Sequence, residues 1–348
     1  MRATARHLVG REEELGTVLR LLDALEGLPA AVVLHGEAGI GKTTVWLAGV
    51  DAAAERGYRV LASRPSEAET GFSFSGLTDL LGRAVGDALP ELPPVQRRAL
   101  ETALLLGESE VPTDERAVAV AFLAVVRLLA RSGPVCLAID DLQWLDPASL
   151  AALRYALGRL DTEPVAALLA ARGDVPPWLR RVGEEGRLQP VAVDGLSVGA
   201  TYELLRAHLD VTFPRPTLLK IWETSGGNPF FALELSRALQ RRGGSLTPGE
   251  DLPIPADLDE LLRARLETLS GAALEVAQAV AALADPTVAH LEAVRGRSAA
   301  AALAETLRAR ILERDGERLR FTHPLLGSAV VAHQLPSHRR ALHARLHR

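Results

Sequence analysis

Two lysines occur in the 348 residues, beside 37 arginines. One of them, Lys42, stands in Gly36-Glu37-Ala38-Gly39-Ile40-Gly41-Lys42-Thr43, with Thr44 next in line. The pattern G-x-x-x-x-G-K-[ST] is that of a phosphate-binding loop. Its glycines let the backbone N–H groups around Ala38, Gly39, Ile40 and Gly41 turn inward on one anion. A helix beginning at Thr43 and Thr44 would add the partial positive charge of its N-terminus. A compact ammonium on a flexible stem can fold over such a loop and touch β- and γ-phosphate oxygens. A planar guanidinium needs a wider, forked site, so a chain that uses arginine almost everywhere keeps a lysine here. Thr43 offers a hydroxyl to Mg²⁺. The chemistry expected is binding of a nucleoside triphosphate with Mg²⁺.

A second element belongs to the same chemistry. Pro134-Val135-Cys136-Leu137-Ala138-Ile139 is a continuous apolar run that ends in Asp140-Asp141. If the run is a strand, the carboxylates emerge at its C-terminal edge, where ligands of parallel sheets gather. Asp140 would hold Mg²⁺, directly or through water, and Asp141 would orient or deprotonate the attacking water. A solvated turn also places two aspartates after a strand; the phosphate-binding loop upstream is what favours the metal reading.

These groups need elements to position them. Ala31-Val32-Val33-Leu34-His35 reads as a short buried strand before the loop, and Thr43 to Ala54 as a helix after it. Glu12 to Leu25 has a helical period in Leu15, Val18, Leu19, Leu22 and Leu25. Arg59 to Ser63 is a second strand. Gly76 to Arg131 is helical, interrupted at Pro90, Pro93, Pro94 and Val111-Pro112-Thr113-Asp114, the last a helix start. Pro147 to Leu160 is a helix, and Val165 to Ala171 a buried strand that closes on Arg172. Strands alternating with helices predict a parallel α/β sheet covered on both faces. After Leu196 the strand signal nearly vanishes, with helices over Ser197–Leu209 and Pro216–Leu239. Residues 241–255 form a polar Gly/Pro-rich linker. Ala256 to Val331 reads as short helices and one hairpin around Asp315-Gly316, a combination that suggests a winged helix. The expected domains are 1–195, the nucleotide-binding α/β domain; 196–245, a helical lid; 253–335, a winged-helix-like domain; and 336–348, the first helix of a following region.

Composition narrows the function classes. Nearly half the residues are hydrophobic, enough for a sizeable core, and the formal net charge is −5. That charge predicts no general affinity for nucleic acid, and 4% aromatic residues leave little base-stacking surface. The single cysteine, Cys136, cannot form an internal disulfide, and the N-terminal residues lack the apolar core of a signal peptide. A cytoplasmic location is expected. No run of about 18 apolar residues predicts a membrane span.

Six stretches together resemble a known group: Leu8-Val9-Gly10-Arg11-Glu12-Glu13-Glu14-Leu15, the phosphate loop, Ile139 to Ser149, Ala171-Arg172, Gly226-Gly227-Asn228-Pro229-Phe230-Phe231, and Leu319-Arg320-Phe321-Thr322-His323-Pro324-Leu325-Leu326. The chain resembles the ATPase portion of the large ATP-binding LuxR-type transcriptional regulators, in the STAND branch of AAA+-like P-loop NTPases, over about residues 8 to 335. The resemblance implies ATP or ADP with Mg²⁺ as ligands; preference for adenine rests on it, as no guanine-reading N-K-x-D motif is present. It implies that Val9, Gly10 and Arg11 lie against the adenine, that Arg172 reads the γ-phosphate, that Pro229 packs on the adenine from the lid, and that His323 contacts the β-phosphate of ADP. Each residue also has a plain structural reading. Arg11 could cap or pair on a surface helix, Arg172 could end a strand, Pro229 could start a helix, and His323 could be a hydrogen-bonded structural histidine. Trp144 is read as packing.

The expected function is a nucleotide-operated switch of a bacterial transcriptional regulator, self-associating when ATP-bound, answering an unknown inducer or protein partner and hydrolysing ATP slowly. Asp141 stands where motor-type relatives place a longer glutamate, which argues against fast turnover. The alternatives are an active ATPase that remodels a protein partner, and a direct DNA binder; the acidic net charge counts against the latter.

Overall fold

The computed structural model describes residues 8–24, 30–66, 69–82, 84–107, 113–183, 187–243, 252, 256–283, 286–295, 298–309 and 311–332. Most of the expected linker 241–255 and all of 336–348 lie outside them, as do Val111 and Pro112. The chain divides into two compact units, Met1–Asp194 and Gly195–Arg348.

The first unit is built on five strands: β1 (Ala30–Gly36), β2 (Arg59–Ser63), β3 (Val135–Ile139), β4 (Val165–Arg172) and β5 (Leu188–Ala192). They pair in the order β2-β3-β4-β1-β5, and every pairing is parallel. Parallel strands must be joined by crossovers, which here supply helices to both faces. The continuous apolar runs reflect that burial, and the two-residue period of a strand splits them between two cores. Val135, Leu137 and Ile139 join one core with Val33, Leu61 and Leu169, while Cys136 and Ala138 join the other with Val32, Leu34 and Leu168. The first face is covered by α3 (Ser75–Leu81), α5 (Pro94–Ala103), α6 (Glu115–Arg131) and α7 (Pro147–Leu157). The second is covered by α1 (Glu12–Asp23) and α2 (Lys42–Glu55). A short α4 (Ala84–Ala88) completes the helical run between β2 and β3.

Local chemistry starts these helices where they are needed. Three glutamates occupy the first turn of α1 and Arg20 its last, matching the helix dipole. Asp114 caps α6 by accepting from the N–H groups of Arg116 and Ala117, and Asp146 caps α7 with Pro147 in its first turn. Asp146 does more than cap. Fully buried, it also accepts from the backbone N–H groups of Phe74 (2.8 Å) and Gly76 (3.0 Å) and from the Ser75 hydroxyl (3.3 Å), tying the start of α3 to the start of α7.

Two elements of this unit depart from expectation. The sequence signals no regular structure over residues 173–195, yet they form α8 (Pro177–Gly183) and β5. Strand β5 carries Pro190 in its middle and is largely exposed. It is an edge strand, the one place in a sheet where proline is tolerated, and its mixed sequence lacks the apolar run that marks the buried strands.

The second unit is mainly helical: α9 (Val198–Leu209), α10 (Arg215–Ser225), α11 (Pro229–Arg241), α12 (Ala256–Glu267), α13 (Gly271–Ala282), α14 (Val288–Arg295), α15 (Ser298–Arg308) and α16 (Pro324–Ala332). Between α15 and α16 lies the antiparallel hairpin β6 (Leu312–Asp315) and β7 (Arg318–Phe321). The single helix expected over 216–239 is two helices. Gly226 and Gly227 interrupt it at φ +59° and +72°, and Asn228 caps α11. The break is set by contact at a distance in sequence: a Cβ on Gly227 would lie 2.5 Å from the Leu196 carbonyl oxygen, while the Leu196 N–H bonds the Gly227 carbonyl at 2.8 Å. Helix α11 serves two cores, with Leu235 and Leu239 packing beside α9 and α10 and Phe231 packing with α12, α13 and α16. Among the described residues, no helix is long and apolar enough to cross a membrane.

Candidate nucleotide-binding site

Strand register brings the functional ends together. Gly36, the last residue of β1, pairs with Arg172, the last of β4, and β3 ends beside β4 at Ile139. The loop that leaves β1 depends on its glycines. Gly36 has φ +151° and a Cβ there would sit 2.6 Å from the Val193 carbonyl oxygen; Gly41, at φ +106°, turns the chain into α2.

Lys42 is buried, and its ammonium donates to the carbonyls of Gly36 (3.1 Å) and Glu37 (2.6 Å) in its own loop. Burial lowers its proton affinity; Asp141, Asp140 and Glu37 oppose that and Arg172 reinforces it. An anionic phosphate oxygen is a stronger acceptor than either carbonyl. The Thr43 hydroxyl donates to Asp140 Oδ1 at 3.3 Å. Asp140 is 2% exposed, and burial, with Asp141 alongside, raises its proton affinity. The Thr43 hydroxyl, the Arg64 guanidinium (Nε to Oδ2, 3.6 Å) and the Asp141 N–H pull the other way. Asp141 adopts the left-handed conformation (φ +48°, ψ +53°), which aspartate tolerates better than most residues. A cavity of about 280 Å³ is lined by Ala38, Gly39, Gly41, Lys42, Thr43, Thr44, Asp141 and Arg172.

The donor set fits the ligands expected. A threonine hydroxyl held against an aspartate is a pair of hard oxygen donors of the kind Mg²⁺ takes, and Mg²⁺ draws its other ligands from phosphates and water. No cluster of three or more His, Cys, Asp or Glu suited to holding a metal occurs among the described residues.

The remaining candidates fall elsewhere. Ile40 is buried in the core beneath the loop, and its carbonyl accepts from Arg11 Nη2 at 2.6 Å. Arg11 is only 5% exposed and also pairs with Glu14 at 2.9 Å, so it is not a surface cap: it braces the phosphate loop from behind. Val9 and Gly10 are half-buried just ahead of α1 and do not line the cavity. Trp144 is half-buried, its carbonyl accepting from the Thr70 hydroxyl.

Pro229 and His323 belong to the second unit. Pro229 opens α11 directly after the Asn228 cap. His323 is 3% exposed; Nε2 meets the Ser225 carbonyl at 2.6 Å and Nδ1 meets the Leu325 N–H at 3.1 Å. Those partners assign the tautomer: Nε2 must donate and Nδ1 accept. The ring also stands edge-on to Phe231, with centroids 4.4 Å apart. Burial brings its pKa down to about 4, with the Ser225 carbonyl opposing and Arg265 contributing. Both ring nitrogens are engaged within the unit.

Sequence reasoning missed Gln143 and Arg64. Gln143 Nε2 donates to Asp141 Oδ1 at 2.8 Å, and its Oε1 accepts the Arg172 N–H at 3.0 Å. Gln143 lies within the Ile139 to Ser149 stretch, but its bond to Arg172, like the ion pair of Arg64 with Asp140, joins segments far apart in the chain. The one available signal was proximity to the paired aspartates.

Comparison with known proteins bears on the fold. Residues 7–169 match the AAA ATPase domain family. An uncharacterised protein of Rhizobium meliloti (strain 1021) is 26% identical over 383 residues, covering 97% of this chain and 36% of that protein, so the chain spans little more than a third of its relative. Among solved structures, the Walker-type ATPase of Pyrococcus abyssi aligns over 93% of this chain and 96% of its own, at 15% identity and a TM-score of 0.62. The Aeropyrum pernix ORC2 protein, in its ADPNP and ADP complexes, aligns over 97% and 93% at 15% identity and a TM-score of 0.54. Residues 7–169 thus resemble the AAA ATPase domain family, and the chain shares its parallel-sheet fold with these solved structures.

Proposed function

We infer that this chain is the ATP/ADP-operated switch module of a larger bacterial regulator, with slow hydrolysis as its reset. The observation that carries the reading is the convergence of Lys42, Thr43, Asp141 and Arg172 on one cavity, with Asp140 bonded to Thr43 behind it. Lys42 and the loop N–H groups would hold the β- and γ-phosphates, and Thr43 and Asp140 would hold Mg²⁺. Mg²⁺ bound there neutralises charge on the phosphate oxygens. Asp141 orients or accepts a proton from the attacking water, and its short side chain favours slow turnover. Arg172 reads the terminal phosphate.

The assignment to a LuxR-type, STAND regulator rests on the six motif stretches. In the second unit, α9 to α11 act as the lid, with Pro229 at its adenine end, and α12 to α16 as a winged helix. Supporting the latter, the order runs α13, α14, α15, hairpin, and Thr287 ahead of α14 bridges Arg318 of β7 antiparallel, giving the hairpin a third edge. ADP favours a closed form and ATP an open, self-associating one, biased by an inducer or protein partner. Moving such an equilibrium from 1:99 to 99:1 takes about 5.5 kcal/mol of differential binding, within reach of a γ-phosphate with Mg²⁺ and an arginine.

The test is nucleotide content and turnover together. Denatured wild type should release ADP, and turnover should stay well below ~1 s⁻¹. Lys42→Ala removes charge-assisted bonds to phosphate and should weaken ADP binding roughly 10- to 100-fold. Rapid Lys42-dependent turnover from empty protein would point to a remodelling ATPase instead. Wild type that neither retains nor binds nucleotide would sink both readings.

A further inference from the structure

Gln143 occupies the 3-10 turn Leu142–Trp144 directly after Asp141. Its carboxamide bonds in two opposite senses, donating to the Asp141 carboxylate and accepting from the Arg172 backbone. The carboxylate can only accept and the N–H can only donate, so a flipped amide would lose both bonds. The position is structurally specific. Backbone pairing between β3 and β4 ends at Ile139 and Leu169, before either functional residue is reached. Beyond that point the segment bearing Asp141 and the strand end bearing Arg172 are joined through the Gln143 side chain. Both joined residues line the phosphate cavity.

We propose that Gln143 is the positioning residue of the terminal-phosphate end of the site, holding Asp141 and Arg172 in register and thereby setting how strongly the site favours a nucleoside triphosphate over a diphosphate. The inference rests on the cavity being a nucleotide site. The hydrogen bonds of Gln143 go to Asp141 and Arg172 rather than to the phosphate loop or Asp140, so the groups that would hold the inner phosphates are not bonded to it. On the proposed nucleotide reading, the γ-phosphate is the one that would meet the end of the cavity that it braces.

The experiment is calorimetric titration of the whole chain, with Mg²⁺, by ADP and by the non-hydrolysable analogue AMP-PNP. For Gln143→Ala, AMP-PNP affinity should fall roughly fivefold to tenfold, the scale of one ordinary hydrogen bond, while ADP affinity stays within about twofold. Gln143→Glu keeps the acceptor for the Arg172 N–H but sets a second carboxylate against Asp141, and should lose at least as much. In an Asp141→Ala background, adding Gln143→Ala should change the ratio of the two affinities less than it does in wild type, because half the bridge is already gone. An unchanged ratio in both variants, or an equal fall for both nucleotides, overturns the inference and leaves the nucleotide site standing. Wild type that binds neither nucleotide overturns the site and the inference together.

Discussion

His323 makes the energetics of the second unit measurable. Its imidazole is buried and neutral, with Nε2 donating to Ser225 and Nδ1 accepting from Leu325. Protonation would place a second proton on Nδ1, facing an N–H that can only donate, and a charge in a site that burial already disfavours. The folded pKa of about 4 lies well below the ordinary 6.5. The unfolded chain therefore takes up the proton first as pH falls. Stability is fully present above about pH 6.5, declines between there and about pH 4, and levels off below. The gap corresponds to about 3 kcal/mol across that window. The perturbation is His323→Gln, which retains a donor and an acceptor but cannot protonate. The assay is hydrogen exchange of the α16 amides from pH 7.5 to 4.5, corrected for intrinsic rates, in wild type and variant. Carboxylates and other histidines affect both proteins and cancel in the difference. Wild type should lose about 2–3 kcal/mol more protection than the variant over this range. Parallel curves would refute the argument, because a histidine free to titrate normally in the folded state contributes no such difference.

The first unit offers two further tests. Asp146→Ala strips the acceptor from three buried backbone N–H groups, those of Phe74, Gly76 and Ser149. Urea unfolding should show a loss of roughly 3–5 kcal/mol. In wild type, burial alone would raise the Asp146 pKa, but its hydrogen bonds from Ser149, Gly76 and Phe74 hold it below the usual value. Its contribution is thus present at neutral pH and disappears as pH falls below the ordinary carboxylate range. Gly36→Ala forces a Cβ to within 2.6 Å of the Val193 carbonyl at φ +151°. It should cost about 1–3 kcal/mol in thermal unfolding and distort the carbonyl that Lys42 uses, lowering ADP affinity as well.

The legibility of this chain depended on how locally each feature is encoded. Strands β1, β3 and β4 were readable because full burial demands unbroken apolar runs, and α2 because it starts directly after the loop. Strand β5 was not, since an edge strand half in solvent needs no such run. The Gly226-Gly227-Asn228-Pro229 stretch offers a helix start at Pro229, where α11 begins; the contact that sets the break, with the backbone of Leu196, is not local. Among candidate site residues, those of the glycine-rich loop and the two aspartates stand out by contiguous spacing. Arg11 pairs with Glu14 of α1 and also donates to the Ile40 carbonyl, 29 residues away, a bond that no local spacing signals.

By itself, the sequence determined the parts whose chemistry is contained in neighbouring residues: the anion nest with its lysine, the strand-ending aspartates, and the alternation of strand and helix that demands a covered parallel sheet. The tertiary structure alone decided the strand order, the addition of β5, the Gln143 bridge between Asp141 and Arg172, and the pairing of His323 with Ser225, 98 residues distant. The physical reason is common to all of these. A hydrogen bond between residues far apart in the chain leaves no periodicity, because its geometry is set by register and packing that exist only once the sheet and helices have assembled.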